Sequence, residues 1–192
     1  MDLSSPGWWI QFCWIAFGLY WLVSAFNRKV TKKRESYFQR LCYTLPLLIA
    51  FYLLFRSAGH YGWLGVRFLP AGLPSQWLGV ALTAAGTGLA IWARWHLGSN
   101  WSGVVTLKEG HELIRSGPYR AIRHPIYTGI LIALFGTSVT IGEVRGLLAV
   151  AVALFSFYLK ARREESFLAQ EFGPGFTEHL RHTGMFLPKL SS

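Results

Sequence analysis

Cysteine, methionine and acidic residues are scarce in this chain. Its 192 residues include two cysteines, two methionines and nine Asp and Glu against nineteen Lys and Arg. Cys13 and Cys42 lie in or beside apolar segments, without a Cys-x-x-Cys pair or paired histidines. The sequence therefore predicts neither a disulfide framework nor a zinc site. The histidines show no metal-ligand spacing either, so no metal is expected.

The long apolar segments contain no acidic residue. Ion pumps and proton-coupled carriers usually need ionisable groups inside the membrane, so this absence argues against both classes. Serine, histidine and aspartate do not stand in an order that is typical of a hydrolase. The functional residues are therefore expected outside the apolar segments.

Apolar residues make up 52% of the chain and are concentrated in five segments. A helix needs roughly 20 apolar residues to cross a bilayer, with a range of about 17–25. Two segments reach this length comfortably, and the others need flanking aromatic residues. We predict an all-α integral membrane helical bundle, a single domain with about five transmembrane helices at Trp8–Phe26, Leu41–Phe55, Trp77–Leu97, Ile126–Ile141 and Gly146–Leu159.

The third apolar segment is rich in small residues. Ala81 with Ala85, and Ala84 with Gly88, match the small-xxx-small spacing that lets helices approach closely. We expect these pairs to pack within the monomer, and a dimer interface is the alternative.

The formal net charge of +10 follows an alternating pattern along the chain. Cations cluster in the first and third loops and after the last span, whereas the second loop and the last turn contain few. Because cytoplasmic loops are rich in Lys and Arg, this pattern predicts an N-terminus outside and a C-terminus in the cytosol. The basic excess also favours anionic membrane lipid as a partner. No nucleic-acid-binding module is visible, so no nucleic acid is expected.

A polar segment, His111–Gly129, separates two apolar runs and combines turn-formers, cations and aromatic residues. Proline disfavours helix in the residue before it and fits the first helical position, so a helix is predicted to start at Pro125 with His124 at its cap. The unpaired N–H groups of that helix start, beside Arg123, suit a carboxylate or phosphate. The alternative is that Arg123 and His124 only mark the inner edge of a span.

Two tyrosines and a glutamate complete the polar features. Tyr119 and Tyr127 near a cation would stabilise it through their ring quadrupoles, by roughly 0.5–2 kcal/mol each. Lys160 and Glu164 are one turn apart and share a face of a helix that is predicted to end near Phe172. The Glu164 carboxylate can hold an ammonium or a sulfonium. Interfacial tyrosines and a solvated charge pair would explain the same residues.

Taken in order, these clusters resemble the isoprenylcysteine carboxyl methyltransferase family and related membrane phospholipid methyltransferases. The resemblance covers about 77–188. It implies a single membrane-embedded methyltransferase domain, 1–192, whose C-terminal half builds a cytosol-facing cofactor pocket. It rests on His111-Glu-Leu-Ile114, Ser116-Gly-Pro-Tyr119, Arg123-His-Pro-Ile-Tyr127-x-Gly129, and Glu164-Glu165 followed by Phe172-Gly173.

The resemblance implies S-adenosyl-L-methionine as the cofactor. It places Glu164 against the ribose or the amino end of that cofactor. The other residues that it assigns to cofactor binding are His111, Glu112, Leu113, Ile114, Tyr119, Arg123, His124, Pro125, Ile126 and Tyr127.

The sequence departs from the eukaryotic pattern in two places. Lys160 stands where the family has a substrate-side arginine, with Arg162 and Arg163 nearby, and a lysine supplies charge without the bidentate fork. The family's glutamine before His111 has no clear equivalent, and Thr106 is the nearest candidate. The catalytic candidates are Lys160 and Arg163, which would steer the acceptor.

The chemistry of the acceptor separates the possible reactions. A carboxylate is ionised at neutral pH and needs no general base, whereas an amine must first lose a proton. This favours O-methylation of an isoprenylcysteine-like or other lipidic carboxylate, in the plasma or inner membrane of a prokaryote or the endoplasmic reticulum of a eukaryote. The alternatives are N-methylation of a phospholipid head group, a sterol-type reductase that uses NADPH on a related membrane fold, and a non-catalytic membrane scaffold.

Overall fold

A computed structural model describes residues 4–26, 31–34, 36–56, 62–101, 106–108 and 113–189 of the chain. These residues form a helical bundle with one short ribbon, in which β1 and β2 pair antiparallel. The sequence did not predict the ribbon. In chain order the elements are α1 (Pro6–Ser24), β1 (Thr31–Arg34), α2 (Tyr37–Phe55), α3 (Leu73–Leu97), β2 (Thr106–Lys108), α4 (Pro125–Ile141), α5 (Val144–Phe172) and α6 (Pro174–His182).

Each of the five apolar segments forms a helix, α1 to α5. Local signals set the helix ends that matter for the polar motifs. Helix α4 begins at Pro125 with His124 at the N-cap, as predicted. Helix α5 continues beyond the apolar segment and ends at Phe172, also as predicted, because Gly173 follows with a φ of +49°.

Apolar side chains cover the outside of the bundle. Helices α2 and α5 are long and apolar enough to cross a membrane by length and composition, and α4 is a shorter apolar helix. The outer face of α2 exposes Leu45, Leu48 and Tyr52, among others. Soluble monomers rarely expose contiguous apolar surface of this kind. The bundle therefore has the character of a membrane protein, while the number of spans remains a prediction.

Helices α3 and α4 pack backbone against backbone. A Cβ added at Gly86 would lie 2.4 Å from the Ala133 nitrogen, and one added at Gly129 would lie 2.6 Å from the Ala90 nitrogen. Only glycine permits this approach. We predicted that Ala81 with Ala85, and Ala84 with Gly88, pack within the monomer. This prediction is wrong, because all four residues are exposed on the outer face of α3.

At the opposite end from the polar motifs, Arg145 joins α5 to the end of α2. Its Nη1 donates to the carbonyls of Leu53 and Arg56 at 2.7 and 2.6 Å, and its Nε donates to Glu143 at 2.6 Å. The last carbonyls of a helix have no partner within it and carry partial negative charge. A buried cation therefore caps α2 and fixes the angle between α2 and α5.

Candidate active site

The candidate site lies where α4 begins and the polar extension of α5 passes it. The chain just after α6 covers this helix start. The N–H of Arg123 donates to the Gly184 carbonyl at 2.9 Å, and the N–H of His124 donates to the Met185 carbonyl at 3.1 Å. Backbone groups that precede the helix are thus satisfied by the C-terminal segment. This contact was not predicted from the sequence.

Glu165 holds the centre of a buried ion-pair cluster. Its Oε1 lies 2.7 Å from Nε of Arg123 and 3.2 Å from Nε2 of His124. Arg123 also donates through Nη1 to the carbonyl of Thr183. The anion that the structure places beside Arg123 is therefore an internal carboxylate. With these partners, Glu165 ties α5, the start of α4 and the C-terminal segment together.

The neighbouring Glu164 has different partners. Its Oε1 accepts a hydrogen bond of 2.5 Å from the Tyr127 hydroxyl, and its Oε2 lies 3.4 Å from Nδ1 of His124. Its side chain is 23% exposed, against 8% for that of Glu165. Glu164 is therefore the acid of this pair that a ligand can reach more easily.

The Tyr127 ring lies in a stack of three rings. Its centroid is 5.4 Å from that of His124, with an interplanar angle of 4°, and 4.8 Å from that of Phe157, with an angle of 14°. Offset stacks of this kind add to the energy of burial. The stack fixes the ring, so that the Tyr127 hydroxyl points to Glu164.

Lys160 supplies the cation beside this stack. Its Nζ lies 5.2 Å from the centroid of Tyr127 and 5.4 Å from that of Tyr43 in α2. The structure thus pairs the ammonium with Tyr127 and Tyr43. The sequence predicted Tyr119 and Tyr127 near a cation, without assigning Lys160 to either ring. Tyr119 is buried in the one-turn helix Gly117–Arg120. Burial, and then the Glu164 carboxylate, raise the pKa of its hydroxyl.

The imidazole of His124 lies between the two acids. Burial lowers its pKa, but the hydrogen bonds and charges of Glu164 and Glu165 outweigh burial and raise the pKa above the ordinary 6.5. The charged imidazolium is therefore favoured, with both ring nitrogens engaged by carboxylates. His124 is not placed to remove a proton from an acceptor.

The structure brings most of the predicted site residues together. Ile114 packs partly buried against the same apolar cluster, and Leu113 is half-buried just before it. Arg163 is half-buried, and the contact described for it is made by its carbonyl, which accepts from Ser166 at 2.8 Å. His111 and Glu112 lie outside the described residues. The residues brought together are Tyr119, Arg123, His124, Pro125, Ile126, Tyr127, Lys160 and Glu164.

Sequence reasoning missed Tyr43 in α2 and Phe157 in α5, whose rings contact Lys160 and Tyr127. Each stands within an apolar run, where an aromatic residue carries no distinguishing signal. Glu165 was noted only as part of a motif. Within the described part of the chain, no group of three or more His, Cys, Asp or Glu could hold a metal ion.

Comparisons with known proteins give two kinds of relative. The family model described as phospholipid methyltransferase matches residues 74–175. The cobalt-zinc-cadmium resistance protein CzcN of Cupriavidus metallidurans is 31% identical over 147 residues, which are 76% of this chain and 62% of that protein. A probable protein-S-isoprenylcysteine O-methyltransferase of Oryza sativa is 36% identical over 84 residues, which are 42% of this chain and 44% of that protein.

A solved structure has a similar fold. It is that of a eukaryotic intramembrane Ras methyltransferase, an isoprenylcysteine carboxyl methyltransferase. The TM-score is 0.53 at 23% identity, and the match covers 76% of this chain and 52% of that one. The chain spans less than two thirds of the length of each of these relatives.

Proposed function

Because this chain belongs to the phospholipid methyltransferase family, whose model matches it over residues 74–175, we propose that it is a membrane enzyme that uses S-adenosyl-L-methionine to methylate a lipophilic substrate. The observation that carries the proposal is the 2.5 Å hydrogen bond from the Tyr127 hydroxyl to Glu164. It joins the Arg-His-Pro and Glu-Glu motifs, which are far apart in sequence, into one cluster. The relatives include proteins named as isoprenylcysteine O-methyltransferases.

The chemistry of the side chains fits this cofactor. A zwitterion with a sulfonium needs an acidic group, polar donors and an apolar surface for its adenine. Glu164 is a partly exposed carboxylate at the rim of the ion-pair cluster. Ile114, Tyr119 and Ile126 belong to the apolar cluster beside it. We assign Glu164 to the ribose or amino end of the cofactor and the apolar residues to the adenine.

When bound, S-adenosyl-L-methionine supplies a methyl group that is already activated on sulfur. An acceptor carboxylate would form its C–O bond as the methyl–sulfur bond breaks and the electron pair stays on sulfur. The task of the protein is then to orient the acceptor and to exclude water. Lys160 and Arg163 would attract and orient the carboxylate, and no proton has to be removed.

The acceptor is proposed to be an isoprenylcysteine-like or other lipidic carboxylate. Two observations support a carboxylate. The ammonium of Lys160 lies one helical turn before Glu164, and His124 is engaged by two acids instead of being available as a base. N-methylation of a phospholipid amine is the second candidate, because the name of the family points to it.

The proposed topology has five spans, with the N-terminus outside and the site and C-terminus in the cytosol. The five helices α1 to α5 and the apolar surface around them support this arrangement. The lipid tail of the acceptor would then enter between spans, and its head group would meet Lys160 at the membrane edge.

The test is isothermal titration of S-adenosylhomocysteine into the detergent-purified protein, in parallel with NADPH. Glu164→Gln should weaken binding about tenfold or more, because it removes the charge but keeps an oxygen that accepts from Tyr127. Glu171→Gln is the matched control, since Glu171 is exposed on the same helix. No binding to folded wild-type protein, or full affinity in Glu164→Gln, would contradict the proposal. Binding of NADPH alone would favour the reductase.

A further inference from the structure

Tyr43 reaches the site from a helix that the family match does not include. It belongs to α2, whereas the match begins at residue 74. Its side chain is 4% exposed, although most of α2 faces outward. Its carbonyl accepts a hydrogen bond from the buried hydroxyl of Ser156 in α5. The backbone of Tyr43 is therefore held against α5, and its side chain is buried instead of facing the lipid phase.

The Tyr43 ring lies beside the Lys160 ammonium. Nζ lies 5.4 Å from the Tyr43 centroid and 5.2 Å from the Tyr127 centroid, so two helices hold it from two directions. Aromatic rings within about 6 Å attract a cation. They provide no negative charge of their own, and the nearby carboxylate that acts on the ammonium is that of Glu164. Burial raises the pKa of Glu164, but a hydrogen bond from His124 and then the Lys160 charge outweigh burial and lower it.

We infer that Tyr43 is a positioning residue that acts through Lys160 and fixes the ammonium where the acceptor carboxylate is bound. The inference rests on the proposed function, and it adds that α2 contributes a residue to the site. A lysine has four flexible carbons and a single point of charge, unlike the rigid fork of arginine. Two flanking rings reduce the freedom that this flexibility gives, and so lower the entropic cost of binding the acceptor.

The experiment compares Tyr43→Leu, which removes the ring, with Tyr43→Phe, which keeps it. Tyr52→Leu is the matched control, because Tyr52 lies on the same helix and is 57% exposed. The acceptor is N-acetyl-S-farnesylcysteine in detergent. Tyr43→Leu should raise KM about tenfold with a smaller change in kcat. Affinity for S-adenosylhomocysteine should stay that of the wild type, and the other two variants should keep the wild-type KM.

A second readout needs neither cofactor nor acceptor. Brief treatment with acetic anhydride followed by mass spectrometry gives the acetylation rate of Lys160, which should rise in Tyr43→Leu and not in Tyr43→Phe or Tyr52→Leu. If thermal unfolding shows that Tyr43→Leu does not fold, Tyr43→Met replaces it, because the unbranched methionine side chain adapts better to the space that the ring leaves.

The outcomes separate this inference from the proposed function. Wild-type protein that binds no S-adenosylhomocysteine contradicts the proposed function, and Lys160 acetylation then still shows whether Tyr43 positions the ammonium. An unchanged KM and acetylation rate in Tyr43→Leu overturn the inference while leaving the methyltransferase intact. An equal rise of KM in Tyr43→Phe also overturns it, because the hydroxyl and not the ring would then be responsible.

Discussion

Glu164 and Glu165 are adjacent in α5, yet their carboxylates have separate partners. Glu164 accepts from the Tyr127 hydroxyl at 2.5 Å, whereas Glu165 pairs with Arg123 at 2.7 Å, and the two acids share the ring of His124. Adjacent helical residues point about 100° apart, so one can face the ligand while the other faces the protein. This geometry supports the proposal that Glu164 binds the cofactor while Glu165 stabilises the fold.

Exchanging each acid for glutamine should separate these two roles. Glu165→Gln leaves the guanidinium of Arg123 buried without its charge partner, and removing one member of a buried pair costs about 3 kcal/mol. We expect a clear loss of thermal stability in Glu165→Gln and a smaller one in Glu164→Gln. Affinity for S-adenosylhomocysteine should fall more in Glu164→Gln than in Glu165→Gln. Differential scanning fluorimetry and titration on the same preparations measure both, and an equal effect of the two variants would refute the division.

The raised pKa of His124 makes stability depend on pH. The imidazolium is stabilised in the folded protein by Glu164 and Glu165 in spite of burial. Below about pH 6.5 both the folded and unfolded states are protonated, so this contribution is complete. As pH rises, the unfolded state loses its proton first, and the contribution declines until the folded pKa is passed.

His179 must be separated from this effect, because burial and then the Arg115 and Arg123 charges lower its pKa. The stability that His179 contributes is therefore lost as pH falls. The difference in melting temperature between wild type and His124→Gln, measured from pH 6 to pH 9, isolates His124. This difference should shrink as pH rises. A constant difference would show that His124 does not change its charge.

Local rules in the sequence predicted the helix ends well. Pro125 and Gly173 set a helix start and a helix end through backbone geometry that does not depend on the rest of the fold. The cofactor-binding residues near these ends were expected from the family resemblance and not from such rules. The five helices followed from the length of the apolar segments, which is also a local property.

The orientation of the helices was not predictable in the same way. Helix α3 is apolar around most of its circumference, so spacing alone does not tell which small residues face inward. Ala84 and Gly88 matched the packing pattern but lie outside, whereas Gly86 packs against α4. The contacts of Tyr43 and of the C-terminal segment depend on tertiary packing between distant parts of the chain, which the sequence does not reveal.

Gly86 and Gly88 of α3 offer a matched pair of variants. A Cβ at Gly86 would lie 2.4 Å from a backbone nitrogen of α4, so Gly86→Ala must push the helices apart, at a cost of about 1–3 kcal/mol. A Cβ at Gly88 meets nothing within 4 Å, and Gly88→Ala should be neutral or stabilising by about 0.5–1 kcal/mol. Thermal unfolding in one detergent compares them. Destabilisation by both would mean that the Gly88 face is covered by another molecule.

Variants of Lys160 test whether the proposed methyl acceptor is a carboxylate or an amine. A charged hydrogen bond to a carboxylate contributes about 1.5–3 kcal/mol, so Lys160→Met should lower kcat/KM for a lipidic carboxylate about tenfold to a hundredfold. Lys160→Arg should retain most of the activity, because it keeps the charge and adds a second donor for the same group. For an amine acceptor the ammonium is instead a repelling charge near the nucleophile. Lys160→Met would then leave methylation unchanged or increase it, and this result with a phospholipid amine would replace O-methylation by N-methylation as the activity.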